Sequence, residues 1–84
     1  MTYKIQFKAS ARKSLKKIPS TDRERILREI VSLGNNPHPN GSIKLTNYSA
    51  YRIRQGDYRV IYTIQDHRLL IEIIQIGNHR DIYD

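Results

Sequence analysis

The stretch from Tyr51 to Tyr62, YRIRQGDYRVIY, constrains this chain more than any other. Gln55-Gly56-Asp57 is a turn signal set between two runs of alternating residues, which together predict a β-hairpin. Tyr51 and Ile53 share one side of the first strand, and Arg52 and Arg54 share the other. In the second strand Val60, Tyr62 and Ile64 point one way, and Arg59 and Ile61 the other. Successive side chains of a strand alternate, so the pairing that buries the larger apolar set leaves Arg52, Arg54 and Arg59 together on the opposite face. Three guanidiniums on one platform repel one another unless an anion visits. A phosphate backbone is the obvious visitor.

Upstream, Tyr3, Ile5 and Phe7 alternate with Lys4 and Gln6 and predict an opening strand. From Ser10 to Ile18 the period changes: Ala11, Leu15 and Ile18 form one stripe, Arg12, Lys13, Lys16 and Lys17 take the other faces, and Pro19 stops the helix. A second helix follows, with Thr21 and Glu24 at capping-box spacing, Ser20 as an equal cap, and Ile26, Leu27, Ile30 and Leu33 as its apolar stripe. Gly34 stands where a left-handed C-cap is expected, before Asn35-Asn36-Pro37. Asn35 to Ser49 holds two prolines, a glycine and four asparagines, a loop long enough to suggest function, anchored at Ile43-Lys44-Leu45. After the hairpin, Gln65-Asp66-His67-Arg68 reads as a turn. Leu69 to Ile76 reads as the most buried strand, with Glu72 its one charged interruption. The expected fold is a single α+β domain over 1–84, in the order β-α-α-β-β-β: the opening strand and helical hairpin on one face of a small, mostly antiparallel sheet.

Charge supports an anionic partner. Fifteen Lys and Arg against eight Asp and Glu give a formal net charge of +7 in 84 residues. That favours nucleic acid, an anionic membrane surface or an acidic protein. No cysteine is present, so a disulfide, a Cys-type zinc site and a thiol nucleophile are excluded. No apolar run reaches the length of a membrane span and the polar start is unlike a signal peptide, so a soluble, cytoplasmic protein without a membrane partner is expected.

Four pieces occur in order: Phe7-Lys8-Ala9-Ser10-Ala11 with Leu15-Lys16-Lys17-Ile18-Pro19; Lys44-Leu45; the Tyr51–Tyr62 hairpin; and Gly77-Asn78-His79-Arg80-Asp81-Ile82-Tyr83. Together they resemble the RelE/ParE superfamily of bacterial and archaeal toxins, nearer its RelE-like branch, over nearly the whole length. The resemblance implies a RelE-like fold and a toxin of a type II toxin–antitoxin module. Its expected activity is ribosome-dependent, metal-independent and cofactor-free cleavage of mRNA in the A site, inhibiting translation, with a cognate antitoxin covering the basic surface. ParE-like members share the fold but poison DNA gyrase. They generally lack a closing tyrosine, and Tyr83 therefore favours RNA cleavage. A ParE-like gyrase inhibitor without nuclease activity, and a weakly active toxin acting mainly in antitoxin-bound repression, remain open alternatives.

Metal-free RNA cleavage needs a base for the 2′-hydroxyl, stabilisation of the phosphorane-like transition state and a proton for the 5′-oxygen. The resemblance assigns these roles to Arg52, Arg54, Arg59, His79, Arg80 and Tyr83, with Lys44, Arg52, Arg54 and Arg59 binding RNA. Arg59 matches the signature arginine and takes the transition-state charge; its bland alternative is a solvated strand arginine. Arg52 and Arg54 stand where many members carry lysine. Arginine stays protonated, so they suit a phosphate clamp and the base lies elsewhere. His79 titrates near neutrality and suits that role, unless Arg80 takes the electrostatic position after Gly77 and His79 is structural. Tyr83 is either a base, acid or stacking residue, or a tyrosine docked near the chain end. Lys44 could reach the RNA or the ribosome, with a solvated loop lysine the favoured reading. His38 and His67 read as surface residues, and the basic face of the first helix as solvated.

Overall fold

The computed structural model describes residues 2–45 and 49–78. Strand β1 (Lys4–Phe7) leads into helices α1 (Ala9–Lys16) and α2 (Ser20–Leu33). Four strands follow: β2 (Ile43–Lys44), β3 (Tyr51–Gln55), β4 (Tyr58–Gln65) and β5 (Leu70–Asn78). The sheet order is β1-β5-β4-β3-β2. Only β1 and β5 run parallel; the other pairs are antiparallel. The architecture is the expected α+β one, with β2 adding a two-residue edge strand at the anchored part of the long loop.

The main core lies between the helical hairpin and one sheet face. Ala11, Leu15, Ile18, Ile26, Ile30 and Leu33 pack there against Ile53, Val60, Tyr62, Ile71, Ile73 and Ile76. These are the helix stripes and the Val60 face read from the periodicity. Arg12, Lys13, Lys16 and Lys17 are exposed, as expected of a solvated helix face. The link between the helices carries an interaction the periodicity did not signal. Arg23 Nη1 donates to the carbonyls of Lys16 and Ile18, at 3.4 and 3.3 Å, placing a cation at the negative end of α1.

Three expectations are corrected. The capping box of Thr21 and Glu24 does not form, nor does Ser20 cap: Pro19 is the N-cap of α2, without a side-chain bond, and Ser20 is already helical. Proline suits that boundary because its φ is fixed and it has no N–H to satisfy. Strand β5 starts at Leu70 and runs to Asn78, because Leu69 turns left-handed (φ 49°) after a short 3₁₀ turn at Asp66–Arg68.

Gly34 is right-handed (φ −60°, ψ −32°), so it is not a left-handed cap. It is required for space instead. A Cβ there would sit 3.1 Å from the Tyr3 carbonyl oxygen and 3.2 Å from that of Val31. The Tyr3 N–H donates to the Gly34 carbonyl at 2.7 Å, so β1 and the end of α2 are drawn together at this point. Both obstructing atoms are backbone and cannot swing away. Gly34→Ala is therefore expected to lower stability by about 1 kcal/mol, despite alanine's smaller loss of chain entropy on folding. Urea denaturation checks this, and a gain in stability would refute it.

Candidate functional site: an arginine-bearing sheet face

The hairpin turns at Gly56-Asp57. Gly56 has φ +60°, while among the described residues Leu69 alone is non-glycine with positive φ. Glycine first with an ordinary residue second is the II′ pattern, whose twist suits the flanking strands. The register sets Gln55 opposite Tyr58, Arg54 opposite Arg59, Ile53 opposite Val60 and Arg52 opposite Ile61. Arg52, Arg54 and Arg59 thus share the sheet face away from the helices, as alternation predicts.

Arg54 and Arg59 are direct cross-strand partners. Such pairs hold their Cβ atoms ~4.5–5.5 Å apart, and like charges placed so destabilise a sheet. Arg54 is exposed, and its Nε donates to the Gly56 carbonyl at 2.9 Å, tying its base to the turn. Arg59 is half-buried, and its β5 neighbour is Gly77, which has no side chain to crowd it. The result is an arginine pair across β3 and β4, with Gly77 next to Arg59 on β5.

Arg52 departs from the open platform expected of it. Only 9% of it is exposed. Its register partners are Ile43 on β2 and Ile61 on β4. Next to Ile61 lies a second, smaller core of Leu45, Ala50 and Ile61 with Ile74 against it. The Leu45 N–H donates to the Ala50 carbonyl at 2.9 Å, closing the loop that brings the first two in. On this face Arg54 is therefore exposed, Arg59 half-buried and Arg52 buried. Alternation could place Arg52 on this face but could not foresee its burial.

The second core depends on a β-bulge. Ile61 faces Gln75 and Tyr62 faces Ile73, so Ile74 is an extra residue in β5. Ile73 and Ile76 can then both face the helices while Ile74 and Gln75 turn to the arginine side. The apolar doublet Ile73-Ile74, which breaks period two, was the signal available for it. Ile74 and Gln75 border the site, and no role was foreseen for either.

Lys44 and the two described histidines are placed away from the arginine pair. Lys44 is exposed and opposite Tyr51, so it shares the helix-side face of the edge while Ile43 falls beside Arg52. His79, Arg80 and Tyr83 lie outside the described residues. His38 and His67 are both exposed; the His38 ring meets Tyr51 edge-on at 5.0 Å, away from the arginines. Among the described residues, no three His, Asp or Glu side chains cluster as a metal site. Two phenols are displaced in pKa. Tyr3 is raised mainly by donating to Asp66, at 2.5 Å, and Tyr62 mainly by burial. Both lie on the helix side, so among the described residues the arginine face carries neither of them and no histidine.

Comparison with known proteins defines the class. Residues 5–83 match the family described as the ParE toxin of the type II toxin–antitoxin system parDE, and the chain belongs to that family within the RelE/ParE superfamily. Its particular likeness is to RelE-type toxins. It is 29% identical to toxin RelG of Mycobacterium tuberculosis over 99% of this chain and 98% of the relative. The archaeal RelE of the RelE–RelB complex from Pyrococcus horikoshii is 30% identical, with a TM-score of 0.85 over 98% of this chain and all of that one. The E. coli toxin chain matched in the intact RelBE complex is 26% identical, with a TM-score of 0.81 over 90% of this chain and 95% of that one. The protein is thus a RelE-like toxin of the type II class. No helix among the described residues is long and apolar enough to cross a membrane.

Proposed function

We propose that this toxin is a metal-independent endoribonuclease that cuts mRNA in the ribosomal A site and is restrained by a RelB-type antitoxin laid over its basic surface. The observation that carries this reading is the direct pairing of Arg54 with Arg59 beside Gly77. Two guanidiniums set side by side across the strands match the charge and spacing of a phosphate, which can take a charge-assisted contact from each.

In the reaction, the 2′-oxygen loses its proton to a base and attacks the adjacent phosphorus. The bond to the 5′-oxygen breaks, that oxygen takes a proton, and a 2′,3′-cyclic phosphate remains. Arg59 stabilises the charge that develops on the phosphorane oxygens, and Arg54 clamps the phosphate. Arg52, buried as it is, contributes positive potential from within the sheet face, and Lys44 gives peripheral attraction. Both proton transfers fall to the chain end, where His79, Arg80 and Tyr83 follow directly on β5 and Gly77. If His79 is the base, the pH–rate profile bends at ~6–7 and His79→Gln removes the bend. An unchanged profile assigns the proton to another group.

The deciding experiment is primer extension on mRNA programmed into bacterial ribosomes, beside free mRNA and EDTA controls. Cuts at A-site codons that need ribosomes and survive EDTA are expected. The family's ParE description, together with arginine at the positions where lysine is common, favours one second reading: a gyrase inhibitor without nuclease activity. Absence of cleavage with loss of DNA supercoiling would establish that instead.

A further inference from the structure

The same sheet face carries a second cationic corner, remote from the hairpin. A depression of about 400 Å³ is lined by Thr2, Lys4, Gln6, Arg68, Leu69 and Leu70. No carboxylate is among those residues. The register shows which face it occupies. Gln65 pairs with Leu70 and Leu70 with Lys4, while Thr63 pairs with Glu72 and Glu72 with Gln6. Gln65 and Thr63 alternate in step with Arg59 along β4, so Lys4 and Gln6 lie on the arginine side.

Two details mark this corner as built. Arg68 Nη1 donates to Gln65 Oε1 at 3.2 Å, which steadies the guanidinium at the rim. Leu69, in the wall, is held left-handed at φ 49°, with its N–H donating to the Asp66 carbonyl and its carbonyl accepting from the Lys4 N–H at 2.7 Å. That conformation is uncommon outside glycine, asparagine and aspartate, and such residues concentrate at sites of function. The one nearby acid of the turn, Asp66, accepts the Tyr3 hydroxyl bond.

We propose that Lys4, Gln6 and Arg68 form a second phosphate subsite, which holds the backbone of a single RNA strand whose other end lies on Arg54 and Arg59. The two ends are separated by ~20 Å along β4 and ~10 Å across two strand spacings, a span an extended oligonucleotide crosses. Glu72, between Gln6 and Thr63, repels the strand from mid-sheet and confines its phosphates to the two cationic ends. The proposal rests on the RNA-directed reading of the arginine face.

The test is fluorescence anisotropy with a labelled 2′-O-methyl dodecanucleotide, which cannot be cut because its nucleophile is blocked, titrated at several salt concentrations. Lys4→Gln/Arg68→Gln should weaken binding about tenfold at low salt and reduce the salt slope by ~1.4, since each phosphate contact on a single strand contributes ~0.7. Lys16→Gln/Lys17→Gln removes the same charge from the helix side and should change the slope little. Equal losses in the two double variants would reduce the effect to net charge and overturn the subsite. So would an unaffected Lys4/Arg68 variant, or a wild-type protein that does not bind the oligonucleotide. Loss confined to Lys4/Arg68, in a toxin that fails to cut on ribosomes, would keep the subsite and sink the nuclease reading.

Discussion

Arg59→Ala is expected to slow ribosome-dependent cleavage by about 10²–10³-fold, the usual consequence of removing one preorganised donor from a developing oxyanion. Three features support Arg59 as the centre of the proposed site. It is half-buried, so its charge is less screened than that of exposed Arg54. It sits on a central strand, bonded on both sides, which fixes its backbone. Its neighbour across β5 is Gly77, which leaves the reacting phosphate room to approach. Arg54→Ala should cost less, because that side chain is exposed and held only at its base by the Gly56 carbonyl. Arg59→Lys should recover part of the rate by restoring charge without the fork geometry. The measurement is single-turnover cleavage on programmed ribosomes, with a thermal melt of each variant alongside. A rate within threefold of wild type in a folded Arg59→Ala protein would end the assignment.

How much of this was legible beforehand follows from which interactions are local. The helix stripes, the hairpin and the common face of Arg52, Arg54 and Arg59 all follow from periods of 3.6 and 2. The features that escaped are set by long-range fit. Gly34 reads as a cap because glycine after a helix usually is one; its true constraint is the carbonyl of Tyr3, 31 residues away. The capping box failed because Pro19, two residues before Thr21, already set the helix entry. Arg52 reads as open because alternation gives a side of the sheet and not what folds over that side. Ile43 and Ile61 flank Arg52 in the register, and Ile61 packs with Leu45 and Ala50 in a second core that long-range folding brings together. The bulge that places Ile74 against that second core was written in the Ile73-Ile74 doublet, but a doublet reads equally as a buried run. Of the proposed site, the arginine half was legible in the hairpin, and the proposed proton-transfer half rests on His79, Arg80 and Tyr83, outside the described residues.

Tyr62 ties the loop to the core, and its removal carries the largest expected cost to stability. Tyr62 is fully buried among the helix-side residues, stacks on Tyr51 at 5.9 Å, and donates its hydroxyl to the Pro37 carbonyl at 2.8 Å. Tyr62→Ala removes all three and leaves a cavity under the helices, a loss of about 3–5 kcal/mol. Small domains hold ~5–15 kcal/mol in total, so this variant should be close to unfolding at room temperature unless antitoxin is bound. Tyr62→Phe keeps the ring and forfeits the hydroxyl's hydrogen bonding to Pro37 and Ser42, costing about 1 kcal/mol. Urea denaturation separates the two, and a Tyr62→Ala loss below that of Tyr62→Phe would refute the account. The phenol adds a pH signature. Burial raises the Tyr62 pKa above its ordinary 10.0 in the folded protein. The folded state therefore holds this proton more tightly than the unfolded one. That contribution is complete below pH ~10 and disappears as pH rises through the folded value. Tyr3 is raised in the same direction, first by its bond to Asp66. Wild-type stability should accordingly fall above pH ~10, and Tyr62→Phe should fall less steeply, with the Tyr3 contribution remaining. Equal slopes would mean that the Tyr62 hydroxyl is as well solvated in the folded chain as in the unfolded one, which its burial forbids.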